Sequence, residues 1–276
     1  HLTFSVDGPD IVHDANRFFV NRVGSHAVTT RHLQEARTSG ASVSIEMTFS
    51  PQALDQGLGI GQLVDYSYGE LGMAEPHIAP VAAGADSPVT WAGREPEAIA
   101  SYRAAAERSL QTLVDGNFQG FSLVIGMLRT LISRRVRRFV CPAGTGTLAI
   151  DPLGDVYPCF MFAGQAEQKV DSLDAPDDDA PTRLGVFIRQ NDKVTHATCE
   201  RCWARHLCTG CQGDTLYSTG SLQGESPMLC GVMQALAETT MLFLARQQAS
   251  PETWRHFVDQ YRRWRIPAEP KPETIV

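Results

Sequence analysis

Alternation opens the chain. Leu2, Phe4 and Val6 alternate with polar neighbours up to Gly8-Pro9, which predicts a strand over residues 1–8 ending in a turn. A loop through Arg22 to Ser25 leads into a predicted helix over Thr29–Thr38, stopped at Gly40. A second strand is predicted over Ser42–Phe49, a helix over Ile60–Leu71 closed by Gly72, and a weaker strand over residues 75–82. Strands and helices alternating at this spacing imply right-handed βαβ units, so an α/β fold with a parallel sheet. The pattern alone does not separate a doubly wound sheet from a barrel segment.

The rhythm then changes. Glu95–Val114 reads as a helix with Ile99, Tyr102, Ala106, Leu110 and Leu113 on one face, and a second helix is predicted over Gln119–Ser133. A domain boundary is expected between it and Cys141. Leu148 and Ile150 alternate into Asp151-Pro152-Leu153-Gly154, and Val156-Tyr157 return, so Thr147–Pro158 reads as a hairpin. Residues 171–181 read as a solvated polar loop. An apolar helix is expected over residues 228–247, then one docking the stripe Trp254, Phe257, Val258, Tyr261 and Trp264, and a frayed tail from Pro267.

Composition narrows the class. At 276 residues the chain is long for one compact unit and comfortable for two. A hydrophobic share of 43%, 8% aromatic and 20% charged residues are ordinary for a globular protein. The net charge of −7 does not favour nucleic acid. No apolar run of transmembrane length is evident and no signal peptide is recognised, so a cytoplasmic protein without a membrane partner is expected. The chain begins at His1 without an initiating methionine, which suggests truncation or processing.

The seven cysteines change the picture most. All fall in one stretch: Cys141-x17-Cys159, then Cys199-x2-Cys202-x5-Cys208-x2-Cys211, then Cys230. Disulfides, zinc and iron–sulfur clusters each give cysteines a reason to gather. An odd number leaves a thiol over in a pure disulfide framework. A Cys-x2-Cys pair places two thiolates on one tight turn, which suits zinc or an iron corner. One zinc ribbon would use Cys199, Cys202, Cys208 and Cys211 and leave three idle; two 4Fe–4S clusters would use all seven.

The stretch CPAGTGTLAIDPLGDVYPC (Cys141–Cys159), CERCWARHLCTGC (Cys199–Cys211) and Cys230 resembles the SPASM domain, the auxiliary-cluster domain of radical S-adenosylmethionine enzymes that mature peptides. Gly154-x4-Cys159 fits the family pattern. The spacing Cys208-x2-Cys211 departs from it, because relatives have three residues there, and this shifts the aim of Cys211. SVDGPDIVHDANR (Ser5–Arg17) resembles the fourth-strand segment of the same enzymes, and Glu46–Val81 resembles the fifth and sixth strands of thioether-forming maturases. The resemblance thus implies the second half of a partial (β/α)6 barrel with linking helices over residues 1–135, an α+β SPASM domain over 136–247, and a C-terminal helix and tail over 248–276. The CxxxCxxC loop that binds the catalytic cluster in relatives is absent from this sequence.

Carried over residue by residue, the resemblance implies that Cys199, Cys202, Cys208 and Cys230 ligate one auxiliary 4Fe–4S cluster. Cys141, Cys159 and Cys211 would hold a second, whose fourth ligand is left open. Ser5 and Arg17 stand where relatives hydrogen-bond the methionyl or ribose part of S-adenosylmethionine; the plainer reading has Ser5 capping the turn and Arg17 paired with Asp14. Some relatives follow the second SPASM cysteine with an aspartate base, and Phe160 stands there instead. Asp7 reads as turn chemistry, His196 and His206 as neighbours of the cysteines. Arg134, Arg135, Arg137 and Arg138 form either a solvated helix end or a contact for an acidic precursor peptide. The implied function is a radical S-adenosylmethionine oxidoreductase that cross-links a ribosomal precursor peptide, with a third cluster in the intact enzyme and the N-terminal half supplied by the missing chain or a partner. On that reading this chain alone does not cleave S-adenosylmethionine. The alternatives are a zinc-binding interaction module and a cluster-bearing electron-transfer subunit.

Overall fold

The computed structural model describes residues 1–265; the tail expected from Pro267 lies outside the described residues. The chain divides into two compact units, one of residues 1–79, 96–129 and 235 onward, the other of residues 80–95 and 130–234.

The first unit is built on a three-stranded sheet in the order β1 (Leu2–Ser5), β2 (Val43–Phe49), β3 (His77–Pro80). β1 runs parallel to β2, with Leu2 opposite Val43 and Ser5 opposite Glu46. Alternation along β2 buries Ile45, Met47 and Phe49. Between the strands lie α1 (Asp10–Asn16), α2 (His26–Thr38), α3 (Pro51–Asp55) and α4 (Ile60–Gly69). α1 was expected as loop: seven residues give too little apolar period to read, yet Pro9 and Asp10 suit its first turn. α5 (Glu95–Val114) and α6 (Ser122–Ser133) follow. Tyr102 of α5 packs edge-on against Phe49 at 5.8 Å and donates its hydroxyl to the Ile78 carbonyl, locking the helix to two strands. α10 (Pro251–Arg265) docks through Phe257, which is 1% exposed and meets the rings of Trp254, Tyr261 and Phe243.

The second unit holds every cysteine. Its sheet is antiparallel, β4 (Ala149–Ile150), β5 (Asp155–Tyr157) and β6 (Asp171–Ser172). Gly154 turns the β4–β5 hairpin at φ +80°, a conformation glycine adopts without strain, while Asp151 accepts from the amides of Leu153 and Asp155. β6 sits where only polar loop was expected. Two residues are too short a strand to show a period. α7 (Ala180–Asn191), α8 (Gln212–Thr219) and the first part of α9 (Pro227–Gln247) complete the unit. Ala143, Tyr157, Phe162, Phe187 and Leu222 form its buried cluster, against which Cys141 and Cys159 pack. α9 corrects one expectation from the sequence: it is long and apolar enough to cross a membrane, although half of that window is buried within the protein.

Candidate metal centre and polar site

The cysteines are free thiols, none fully exposed and none fully buried. Their mutual influence sorts them into two sets. Burial pushes the Cys230 thiol up to about 12, and Cys208, Cys199 and Cys202 act on it in the same direction. Burial likewise pushes Cys208 up to about 11, opposed by the Lys193 ammonium and reinforced by Cys199 and Cys202. Cys211, pushed up to about 11 by burial, answers instead to Cys141. Cys159, raised by burial, answers to Cys141 as well. Cys199, Cys202 and Cys208 thus act on Cys230, whereas Cys159 and Cys211 each respond to Cys141. Cys208 and Cys211 part company although two residues divide them.

The turn between them explains how. Gly210 lies so close to Val140 that a Cβ there would come within 2.8 Å of its methyl carbon. Only a bare Cα fits, and the shortened loop then delivers Cys211 to the start of α8. There Cys211 is the N-cap, its sulfur accepting from the Asp214 amide at 3.4 Å. Among the described residues, no group of three or more His, Cys, Asp or Glu is arranged to hold a single metal ion. The donor chemistry itself fits iron–sulfur ligation, since seven reduced, partly buried cysteines supply the sulfurs.

Three consecutive residues at the end of α7 brace both sets, and sequence reasoning overlooked all three. Asn191, wholly buried, donates to the carbonyls of Cys141 and Ala143 and accepts the Cys141 amide. Asp192 is held below the usual carboxylate range: burial works against this, while the Arg138 guanidinium at 2.7 Å and the Val194 amide secure it. Lys193 reaches back to the carbonyls of Arg205 and Cys208. His196, buried, accepts the Cys199 amide at 3.4 Å and donates from Nε2 to the Leu222 carbonyl, which is the neighbouring role expected of it. His206 accepts from Arg205. Of the four arginines, Arg137 and Arg138 are engaged with Thr130 and Asp192. No local pattern could flag Asn191 or Lys193, because their partners lie far along the chain.

The second candidate site lies at the ends of β1 and β2, in the first unit. Arg17 pairs with Asp7, not with Asp14: its Nε donates to Asp7 Oδ2 at 2.6 Å and one terminal nitrogen donates to Thr48 Oγ1. Asp14 instead accepts the His26 amide at the start of α2. Asp7 is 3% exposed and also accepts the Thr48 amide, so it is a structural anchor and not only turn chemistry. His13 accepts the Asp7 amide on Nδ1, and its Nε2 meets the Ser25 hydroxyl, which itself donates to the Arg17 carbonyl. Burial lowers the His13 pKa, partly offset by Asp7. Ser5 closes β1 with its hydroxyl unengaged among the described residues, and Arg17 keeps Nη1 equally unengaged.

No family model and no curated protein matches the sequence. Solved structures do match the fold. Hexahistidine-tagged anSMEcpe with bound AdoMet aligns with a TM-score of 0.69 and 15% identity, over 94% of this chain and 69% of that one. The chain is similar in fold to a radical S-adenosylmethionine enzyme. Native anSMEcpe with bound AdoMet and Kp18Cys peptide gives 0.68 and 15%, over 89% and 68%. anSMEcpe is a radical S-adenosylmethionine/SPASM anaerobic sulfatase-maturating enzyme.

Proposed function

We propose that this chain is the C-terminal part of a radical S-adenosylmethionine peptide maturase, carrying two auxiliary 4Fe–4S clusters. One observation supports the proposal: in a fold similar to such an enzyme's, Cys199, Cys202 and Cys208 act on Cys230 while Cys141 acts on Cys159 and Cys211, which fits a set of four and a set of three. Cys199, Cys202, Cys208 and Cys230 would ligate one cluster; Cys141, Cys159 and Cys211 would hold the other. A single zinc ribbon needs Cys208 and Cys211 in one set, and the influence of Cys141 on Cys211 speaks against that. When bound, clusters and S-adenosylmethionine would supply one-electron chemistry to a precursor peptide, with side-chain cross-linking, a thioether included, as the outcome.

The chain's own residues prepare that chemistry. Asp7 and Thr48 hold one edge of Arg17, leaving Nη1 to meet a carboxylate of the cosubstrate. The Ser5 hydroxyl offers a second contact from the end of β1. On this reading residues 1–135 would be the barrel part, 136–247 the SPASM part and 248–276 the C-terminal helix and tail, whereas the compact units assign residues 80–95 and 130–135 to the cysteine-bearing unit and residues from 235 on to the first. The sequence holds no CxxxCxxC loop, so cleavage of S-adenosylmethionine awaits the N-terminal half or a partner chain. The free thiols support placement in the cytoplasm.

Anaerobic reconstitution tests the proposal. Brown protein with close to eight irons and eight acid-labile sulfides, about two 4Fe–4S clusters' worth, is the expected result. Colourless protein with one zinc and no labile sulfide would overturn it in favour of a zinc module.

A further inference from the structure

Lys193 is 2% exposed, and its ammonium has an unusual set of partners. Nζ donates to the carbonyls of Arg205 at 2.7 Å, Cys208 at 2.7 Å and Arg137 at 3.2 Å. A neutral amine has two N–H bonds and would turn its lone pair on one of these oxygens; three carbonyl acceptors require the charged form. Among the described residues no carboxylate pairs with it. A buried cation without a counter-charge is strongly disfavoured. The bond to the Cys208 carbonyl sets the ammonium beside the four-thiol set; burial and Arg137 work against its charge, and the thiols of Cys208, Cys199 and Cys202 work in its favour. No cation acts in this way on Cys159 or Cys211 in the other set.

Charge arithmetic gives this placement a meaning. Four thiolates carry one more negative charge than three, and greater negative charge lowers a cluster's reduction potential. One fixed ammonium beside the four restores parity.

We propose that Lys193 is the built-in counter-charge of the four-thiol centre, a positioning residue that raises its reduction potential; this rests on the iron–sulfur reading above. Its hydrogen bonds hold the carbonyls of the loop carrying Cys208, so the charge cannot swing away.

The test is an EPR-monitored redox titration of reconstituted wild type, Lys193→Met, Lys193→Gln and Lys193→Arg, with iron and sulfide quantified first. The four-thiol centre is assigned as the signal that survives in Cys211→Ala. Its midpoint is expected to move to more negative potential in the Met and Gln variants, to return toward wild type in the Arg variant, and to leave the other centre unmoved. An unchanged midpoint in Met and Gln, an equal shift of both centres, or a Gln variant that behaves as wild type would overturn the inference. Where a neutral variant loses the four-thiol centre outright, retention in Lys193→Arg supports the counter-charge, and loss in all three variants reduces Lys193 to packing and overturns it. Wild-type protein lacking iron and sulfide would bring down the underlying reading instead, a result separate from any of these.

Discussion

The polar site at the ends of β1 and β2 and the thiol sites of the second unit are prepared in opposite ways. Asp7, Arg17, Thr48, His13 and Ser25 bond to one another before any ligand arrives, with only Arg17 Nη1 left over among the guanidinium nitrogens. The thiols do the reverse. Burial and like neighbours push Cys208, Cys211 and Cys230 to about 11 and 12, far from the thiolate form a metal requires. A self-satisfied network folds without its ligand, whereas a set of crowded, desolvated thiols gains most of its stability from what it binds.

The strongest way to break that contrast is to withhold iron. We expect metal-free protein to lose structure in the cysteine-bearing unit while the first unit keeps its protection, as read by hydrogen exchange. Uniform protection in both units would erase the distinction. Cys230→Ala sharpens it: one centre's worth of iron should go, whereas Cys211→Ala should cost the other centre. If Cys208→Ala and Cys211→Ala abolish the same centre and Cys230→Ala is silent, the partition is wrong.

Asp7→Ala should have a smaller effect, confined to the first unit. Breaking a buried pair costs roughly 3–5 kcal/mol, and the partly exposed Arg17 reduces that to about 2 kcal/mol. Urea unfolding measures it, and calorimetry should show weaker S-adenosylmethionine binding by the completed enzyme with unchanged iron content.

Acid gives the smallest effect. Burial lowers the pKa of His13 and of His77, so the unfolded chain takes up protons at a higher pH than the folded one. Their contribution is intact above about pH 6.5 and is lost progressively as the pH falls toward the depressed folded values. His77→Gln should flatten the slope of stability against pH below about pH 6.5.

Long periodic elements were legible in the sequence. Alternation marked β1 and β2, the apolar face marked α5, and the aromatic stripe marked α10 through Phe257. What escaped was short or distant. α7 carries Pro181 and Gly185, which blur its helical pattern, and β6 spans two residues. The pairing of Arg17 with Asp7 across α1, not with nearby Asp14, depends on how the sheet ends meet, which no local spacing encodes. The proposed division of the thiols came from the family resemblance; the spacing by itself left open whether Cys208 and Cys211 share one zinc ribbon or belong to two clusters.

Asn191 and Lys193 stand two residues apart, yet one grips the turn of Cys141 and the other the loop of Cys208. On the proposed reading, this couples the loading of the two centres. Whichever fills first bears the entropic cost of ordering the shared segment, and the second binds a partner already in place. Thermodynamic reciprocity makes the gain the same in either order. Singly loaded molecules then become scarce at intermediate iron supply, and native mass spectrometry of a partial reconstitution should find empty and doubly filled protein in excess of the halfway state.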